Sequence, residues 1–322
     1  MKRFLRSIVF ALCLTAALPG TARAAEALIP VGQIIGLELG DDTVTVAAFD
    51  DVLGIRAREA GLRIGDEIIQ IDDRPINCAE DVRAALRECD EDVEITLLRG
   101  ARRQEVEMIP VKTAEGPRLG IYLRQGIAGI GTVTFYDPET KLFGTLGHGV
   151  SDAKGILLCM RRGSAYEATV QSVQRGKSGV PGQLKGCAAS PEPIGTLLKN
   201  TPQGVFGKCD TGWEGQPIPV ASHDEIHTGK ATIRSTVAGN AVREYSVEIL
   251  KIYPKDRSDC RNLLLKVTDP DLLAATGGIV QGMSGSPIIQ DGKLIGAVTH
   301  VLVNDPTMGY GIFIENMLEA AA

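Results

Sequence analysis

Residues 277–292 read GGIVQGMSGSPIIQDG, and within this stretch Ser284 is followed directly by Gly285. Glycine permits backbone conformations with positive φ and lets other chain segments approach closely. The stretch continues into the apolar run PIIQ and a second turn, QDG, before KLIGAVTH at residues 293–300. A solvent-exposed turn would fit this composition, and so would a loop that presents a nucleophilic serine at the start of a β-hairpin.

Residues 282–287, GMSGSP, resemble the turn that carries the nucleophilic serine of chymotrypsin-like proteases. In that turn two backbone N–H groups hold the oxyanion of the tetrahedral intermediate, and a side chain at the glycine would block their approach. The corresponding donors here are Gly282 and Ser284, and Ser284 is the predicted nucleophile. Ser286 stands where glycine is usual, which leaves it as a second candidate nucleophile.

A serine hydroxyl needs an adjacent general base to attack an amide at neutral pH. His148 lies between two glycines in TLGHGVSD and precedes the serine in the chain, so it is the predicted base. His300 ends an apolar run after the serine and is interpreted as a substrate-cleft or core residue. His223 and His227 belong to HDEIH, which lacks the glutamate that a zinc-protease helix needs after its first histidine. That segment is therefore predicted to be a solvated turn or strand edge.

The third member of such a site is a carboxylate that orients the imidazole and stabilises its charged form. Two candidates remain from the residues alone. Asp210, in KCDTGWEG, lies between the predicted base and nucleophile, and spacing favours it. Asp269, in KVTDPDLL, lies much closer to the serine in the chain.

An earlier segment, REAGLRIGDEIIQIDDRPI at residues 58–76, contains a short helix, a Gly-Asp turn and the strand EIIQI. AEDVRAALREC at residues 79–89 has helical apolar spacing, and two alternating runs follow it. This order resembles a PDZ domain of the bacterial protease type, assigned to residues 29–112. PDZ domains bind an extended peptide as an added strand. The predicted peptide-binding loop is Ile34, Ile35, Gly36 and Leu37, and its ligand is either a free C-terminus or an internal segment.

Residues 117–322 contain many short strand-like runs separated by glycine, which predicts a β-barrel or sandwich. Only the final residues, IENMLEAA, have a helical pattern. The predicted fold is therefore mainly β, with a small α+β PDZ domain followed by a chymotrypsin-like double β-barrel.

The N-terminal segment, residues 1–24, has basic residues, an apolar run and the small-residue pattern Ala22-Arg23-Ala24. It predicts a secretory signal peptide, with an uncleaved membrane anchor as the alternative. Removing its four basic residues moves the formal net charge from -6 to -10, so nucleic acid is not an expected partner. Six cysteines remain without a CxxC pair, and no metal or other cofactor is expected.

The signal segment, the PDZ pattern, TLGHGVSD and TGGIVQGMSGSPIIQDGKLIGAVTHVLVNDPTMGYGIF together resemble the SpoIVB peptidases, serine proteases of endospore-forming bacteria. The resemblance covers essentially the whole chain. It implies that His148 and Ser284 form the catalytic pair. It also implies that the acid is the aspartate of Thr268-Asp269, which favours Asp269 over Asp210.

The resemblance further implies an exported signalling protease that acts in the forespore intermembrane space and cleaves itself. Its expected partners are a membrane-associated regulatory protein as substrate and a peptide bound by the PDZ domain. Cleavage of the regulator would release an intramembrane protease that activates a late sigma factor. The alternatives are a non-catalytic scaffold with a protease-like barrel and a metalloprotease that uses HDEIH.

Overall fold

The computed structural model describes residues 27–41, 43–89, 91–152 and 155–322. The predicted signal segment, residues 1–24, lies outside the described residues. The fold is mainly β, with two closed six-stranded barrels and a PDZ-like unit, which confirms the predicted fold class.

The described part of the chain begins with β1 (Ala27–Pro30), beside the first barrel, and continues with β2 (Ile34–Gly40), a strand of that barrel. It then forms a separate unit around its own apolar core. The elements of this unit are β3 (Val44–Phe49), α1 (Ile55–Glu59), β4 (Glu67–Ile71), β5 (Arg74–Pro75), α2 (Ala79–Arg87), β6 (Val93–Arg99), β7 (Arg102–Met108), β8 (Val111–Thr113), β9 (Gly116–Arg118) and β10 (Ile121–Arg124).

The chain then returns to the first barrel and continues into the second. The remaining first-barrel strands and their extension are β11 (Ile127–Tyr136), β12 (Leu142–Thr145), β13 (Arg162–Gln174), β14 (Gln183–Thr201), β15 (Gly204–Lys208) and β16 (Ile218–Pro219). The second-barrel elements are β17 (Gly229–Thr236), β18 (Val242–Ile252), β19 (Leu263–Val267), α3 (Pro270–Thr276), β20 (Pro287–Gln290), β21 (Lys293–Leu302), β22 (Asp305–Phe313) and α4 (Ile314–Ala321).

The PDZ-like unit is an insertion within the first barrel, which corrects the predicted boundaries of 29–112. Strand β2 pairs with β11 along one edge and with β13 along the other. Leu39 near the end of β2 lies directly opposite Ile127 at the start of β11. The unit therefore leaves and re-enters the barrel at two adjacent antiparallel strands, and its own elements span residues 44–124.

The two barrels share an apolar cluster that the C-terminal helix covers. Phe135 and Phe206 from the first barrel pack there with Leu294 and Ile312 from the second and Met317 from α4, all of them fully buried. Aromatic side chains bury large apolar areas, and such burial stabilises a fold by roughly 25 cal/mol per Å². This cluster fixes the relative position of the barrels and hence of the cleft between them.

Among the described residues, no helix has the length and apolar character needed to cross a membrane. Among the described cysteines, Cys78, Cys159, Cys187, Cys209 and Cys260 form no disulfide. No cluster of three or more metal-ligating side chains occurs in the same ranges.

Candidate active site

The predicted nucleophile loop begins where α3 ends and is fastened to the first barrel. Thr132, in β11, donates from its side chain to the Gly282 carbonyl at 2.8 Å and from its N–H to the Ser284 carbonyl at 2.9 Å. Thr134 donates to the Gly285 carbonyl at 2.8 Å. Although the loop belongs to the second barrel, these bonds from the first barrel therefore help to hold its conformation.

Gly285 has to be glycine in this arrangement. Its φ is 97°, a region that other residues rarely adopt. A Cβ at this position would lie 1.9 Å from the Thr132 carbonyl oxygen. The close approach of β11 and the loop thus depends on the missing side chain.

The N–H groups of Gly282 and Ser284 donate no hydrogen bond to any residue in the described ranges. The intervening Met283 N–H bonds to the Val280 carbonyl, and the Gly285 N–H bonds to the Val298 carbonyl. The two donors predicted for the oxyanion are thus available, whereas the N–H groups on either side of Ser284 are committed. Free backbone donors are what an oxyanion hole requires.

The two serines of the loop occupy different environments. Ser284 is half-buried, and its hydroxyl donates to the Thr299 carbonyl at 2.6 Å. Ser286 is fully buried and donates to the Ser235 hydroxyl at 3.1 Å. A substrate in the cleft can reach Ser284 but not Ser286.

His148 follows β12 on a loop that reaches the second barrel. A Cβ at Gly147 would lie 2.9 Å from the Thr299 methyl group, and a Cβ at Gly285 would lie 2.6 Å from the Leu146 nitrogen. The loop that carries His148 is therefore packed against the loop that carries Ser284. The structure brings the predicted base and nucleophile to one site between the barrels.

The ring of His148 is set up as a base. Its Nδ1 lies 2.9 Å from the Gly149 carbonyl oxygen, which can only accept, so Nδ1 carries the hydrogen and Nε2 has the lone pair. Burial lowers the pKa of His148 below its ordinary value, and the Gly149 carbonyl opposes this shift. The imidazole is therefore neutral at pH 7 and can accept a proton.

Neither predicted carboxylate contacts this ring. Asp269 is the N-cap of α3, where its Oδ1 accepts from the N–H groups of Asp271 and Leu272 at 3.0 Å each. Its Oδ2 accepts from the Ser246 N–H at 3.2 Å. Asp210 pairs with Lys141 at 2.8 Å, and its side chain is 92% exposed.

The two histidines of HDEIH lie outside the cleft. His223 belongs to a 3-10 turn and contacts Glu315 at 2.8 Å, while His227 contacts Asp291 at 2.8 Å. A hydrogen bond to a carboxylate accounts for each histidine of HDEIH. His300 does lie at the site, with its ring centroid 5.0 Å from that of His148.

The four residues of the predicted peptide-binding loop do not line a PDZ groove. Ile34, Ile35, Gly36 and Leu37 form the middle of β2, whose two edges are already hydrogen-bonded to β11 and β13. A strand with both edges paired has no N–H or C=O groups left for a peptide. We therefore correct the assignment of these four residues as the peptide-binding loop.

The PDZ-like unit has a groove between α2 and the edge strand β10. Its volume is about 420 Å³, and Val82 and Leu86 of α2 line it opposite Ile121. Within the described ranges β10 pairs only with β3, which leaves its outer edge open to an added strand. The preceding N–H groups of Leu119 and Gly120 donate to no described residue, as capture of a peptide carboxylate requires.

The sequence contains a pattern that marks this groove. RLGIYL, residues 118–123, has an apolar-glycine-apolar pattern followed by a strand, as IIGL at residues 34–37 also does. The earlier segment was favoured because it comes first in the chain. The sequence pattern does not indicate that the groove strand of this PDZ-like unit is its last strand, β10, and not its first.

Comparisons with known proteins match both parts of the chain. The family described as SpoIVB peptidase S55 matches residues 115–318, and a PDZ domain family matches residues 35–109. A comparison with curated proteins finds no match at the threshold applied.

Three similar solved structures have low identity to this chain. The active form of the Rv3671c protease from M. tuberculosis has 14% identity and a TM-score of 0.37, with 62% of this chain and 73% of that chain covered. The HtrA-type protease AlgW with a decapeptide has 13% identity and a TM-score of 0.36, with 65% and 57% covered. The PDZ domain of the SdrC-like protein from Listeria monocytogenes has 22% identity and a TM-score of 0.23, with 26% and 87% covered.

Proposed function

Because this chain belongs to the SpoIVB peptidase S55 family and is a serine endopeptidase with a PDZ domain, we propose that Ser284 is its nucleophile and His148 its general base. The observation that carries this assignment is the packing of the two loops against each other between the barrels. The neutral tautomer of His148, with Nε2 unprotonated, supports the role of base. The free N–H groups of Gly282 and Ser284 support the role of oxyanion hole.

The reaction follows from these positions. The Ser284 hydroxyl turns from the Thr299 carbonyl to His148 Nε2, which takes its proton as Oγ bonds to the scissile carbonyl carbon. The carbonyl electrons move to oxygen, where the N–H groups of Gly282 and Ser284 hold the negative charge. His148 then gives the proton to the leaving amine as the C–N bond breaks, and water hydrolyses the acyl-enzyme by the same route.

A fluorophosphonate probe tests this assignment directly. The wild-type protein should label at Ser284, and Ser284→Ala should abolish both labelling and peptide hydrolysis. Ser286→Ala is the matched control in the same loop and should still label. Labelling that persists in Ser284→Ala would remove the proposed nucleophile.

We propose that a peptide in the groove between α2 and β10 regulates this centre. β10 continues through Gln125 and Gly126 into β11, and β11 carries Thr132, which holds the nucleophile loop. The Gln125 side chain bonds to the Asn77 carbonyl at 2.8 Å, next to the start of α2. A strand added to β10 would therefore act on a segment that is continuous with the catalytic site.

The groove is tested with Gly120→Asp. A Cβ at Gly120 would lie 2.2 Å from the Leu53 backbone, and the added carboxylate would repel a peptide C-terminus. We expect peptide binding to be lost while fluorophosphonate labelling of Ser284 remains. Gly36→Ala in β2 is the control, since its Cβ would meet an ordinary contact, 3.5 Å from the Tyr166 Cβ. Unchanged peptide affinity in Gly120→Asp would refute the groove.

We also propose the physiological role that the family suggests. The protein is exported across the cytoplasmic membrane, processes itself, and cleaves a membrane-associated regulator between the forespore membranes, leading to activation of an intramembrane protease and a late sigma factor. The test is a sporulating strain with Ser284→Ala, in which self-cleavage and late sigma activity should both be absent. Normal late sigma activity in that strain would reject the role and leave the peptidase assignment intact.

A further inference from the structure

His300 lies beside the catalytic pair without a role in the reaction described above. It follows Thr299, whose carbonyl accepts the Ser284 hydroxyl. Its ring centroid is 5.0 Å from that of His148, with 40° between the ring planes. A second imidazole therefore packs against the ring of the general base.

The Nδ1 atom of His300 is buried and has no hydrogen-bond partner among the described residues. A buried polar atom without a partner is unfavourable, so an apolar side chain would be the more stable choice for packing alone. The one other side-chain atom of this kind in the described ranges, Arg261 Nε, belongs to the same group of residues. The Arg261 guanidinium lies over the ring of Tyr310, which pairs with His300 across β21 and β22.

The surroundings keep the His300 ring neutral. Burial lowers its pKa to about 4, the Arg261 charge adds to the shift, and the Asp259 carboxylate opposes it. Asp259 itself is committed to Arg257, at 2.6 Å. At neutral pH His300 is thus an uncharged imidazole with one nitrogen lone pair. It lies next to the His148 ring, which becomes charged when it takes the proton of Ser284.

No carboxylate contacts the His148 ring in the described part of the chain, and its Nδ1 bonds only to the Gly149 carbonyl. We infer that His300 is a positioning residue for His148, which it contacts ring to ring. Its ring holds the orientation of His148, and its ring nitrogen stabilises the imidazolium that forms during proton transfer. His300 takes no net proton in this step. The inference rests on the proposed roles of His148 and Ser284.

The test compares polar and apolar replacements of His300. His300→Asn keeps a dipole that can stabilise the imidazolium, whereas His300→Leu and His300→Phe keep only packing. We expect kcat to fall about 10-fold in His300→Asn and at least 100-fold in the two apolar variants, with KM changed less than threefold. Thermal unfolding checks that each variant is folded. If one of the two apolar variants does not fold, the other one still provides the comparison with His300→Asn.

A purely structural role would give the reverse order, because Leu and Phe fill a buried site better than Asn. The inference is overturned by that order, by equal kcat values among the variants, or by wild-type activity in all of them. His148→Ala and Ser284→Ala are measured in parallel. Activity retained in those two variants would reject the proposed function itself, which separates its failure from that of the His300 inference.

Discussion

Asp269 offers the sharpest test of how this site is built. The family resemblance implies that Asp269 is the catalytic acid, whereas in the structure Asp269 is the N-cap of α3. Two substitutions separate these roles. Asp269→Asn keeps a cap, because Asn and Asp are about equally good at the N-cap position, and Asp269→Ala removes it.

The expected magnitudes follow from three hydrogen bonds. Oδ1 accepts from the Asp271 and Leu272 N–H groups, and Oδ2 accepts from the Ser246 N–H. Losing the cap in Asp269→Ala costs about 1 kcal/mol, and losing the bond to Ser246 costs roughly another 1 kcal/mol. Asp269→Asn loses only the second bond, so its free energy of unfolding should fall by about 1 kcal/mol. Neither change should alter kcat by more than about twofold, an estimate that rests on the absence of a contact with His148.

The assay pairs urea unfolding with hydrolysis of a fluorogenic peptide at a temperature where all variants are folded. If the carboxylate instead orients His148, Asp269→Asn should lower kcat by about 10⁴-fold without a matching loss of stability. That result would refute the structural reasoning and restore Asp269 as the acid. It would also require the His148 loop to move before catalysis.

Three further predictions use the same assays. Ser286→Ala should retain labelling at Ser284, because Ser286 is buried behind the loop; loss of labelling in a folded variant would contradict this. Gly285→Ala should abolish labelling, since a positive φ costs about 1–2 kcal/mol and the new Cβ would collide with the Thr132 carbonyl; wild-type labelling would show that the loop is not held against β11. His300→Leu should be less sensitive to acid than the wild type. The pKa of His300 is lowered to about 4 when folded and is ordinary when unfolded, so the unfolded state binds the extra proton and stability is lost as pH falls below about 6.5. Between pH 7 and 4.5 the wild type should lose roughly 2 to 3 kcal/mol more than the variant, measured by urea unfolding; equal losses would contradict the neutral His300.

The double barrel and the His148–Ser284 pairing were predictable because their signals are local. Glycine-flanked turns and alternating apolar residues are visible in the sequence itself. The order of base before nucleophile in the chain reduces the number of histidines that could act as the base of Ser284. The free N–H groups at Gly282 and Ser284 follow from the turn that GMSGSP forms. Each of these signals lies within a few neighbouring residues.

The peptide-binding loop and the environment of Asp269 depend on distant pairings. β2 and RLGIYL have equivalent patterns, and only the hydrogen bonds of β2 to β11 and β13 distinguish a barrel strand from a groove edge. A Thr-Asp-Pro sequence is also a good helix start. The cap explanation was therefore available from the sequence, but the family resemblance favoured the catalytic one.

The insertion point between β2 and β11 has a consequence for biosynthesis and for engineering. β2 leaves the ribosome long before either of its neighbours, so the first barrel stays open while the inserted unit, with its own core, can already fold. Because Leu39 and Ile127 face each other, a short hairpin turn joining these strands could replace the whole insert without opening the barrel. The catalytic half could then be produced alone and its unregulated rate measured.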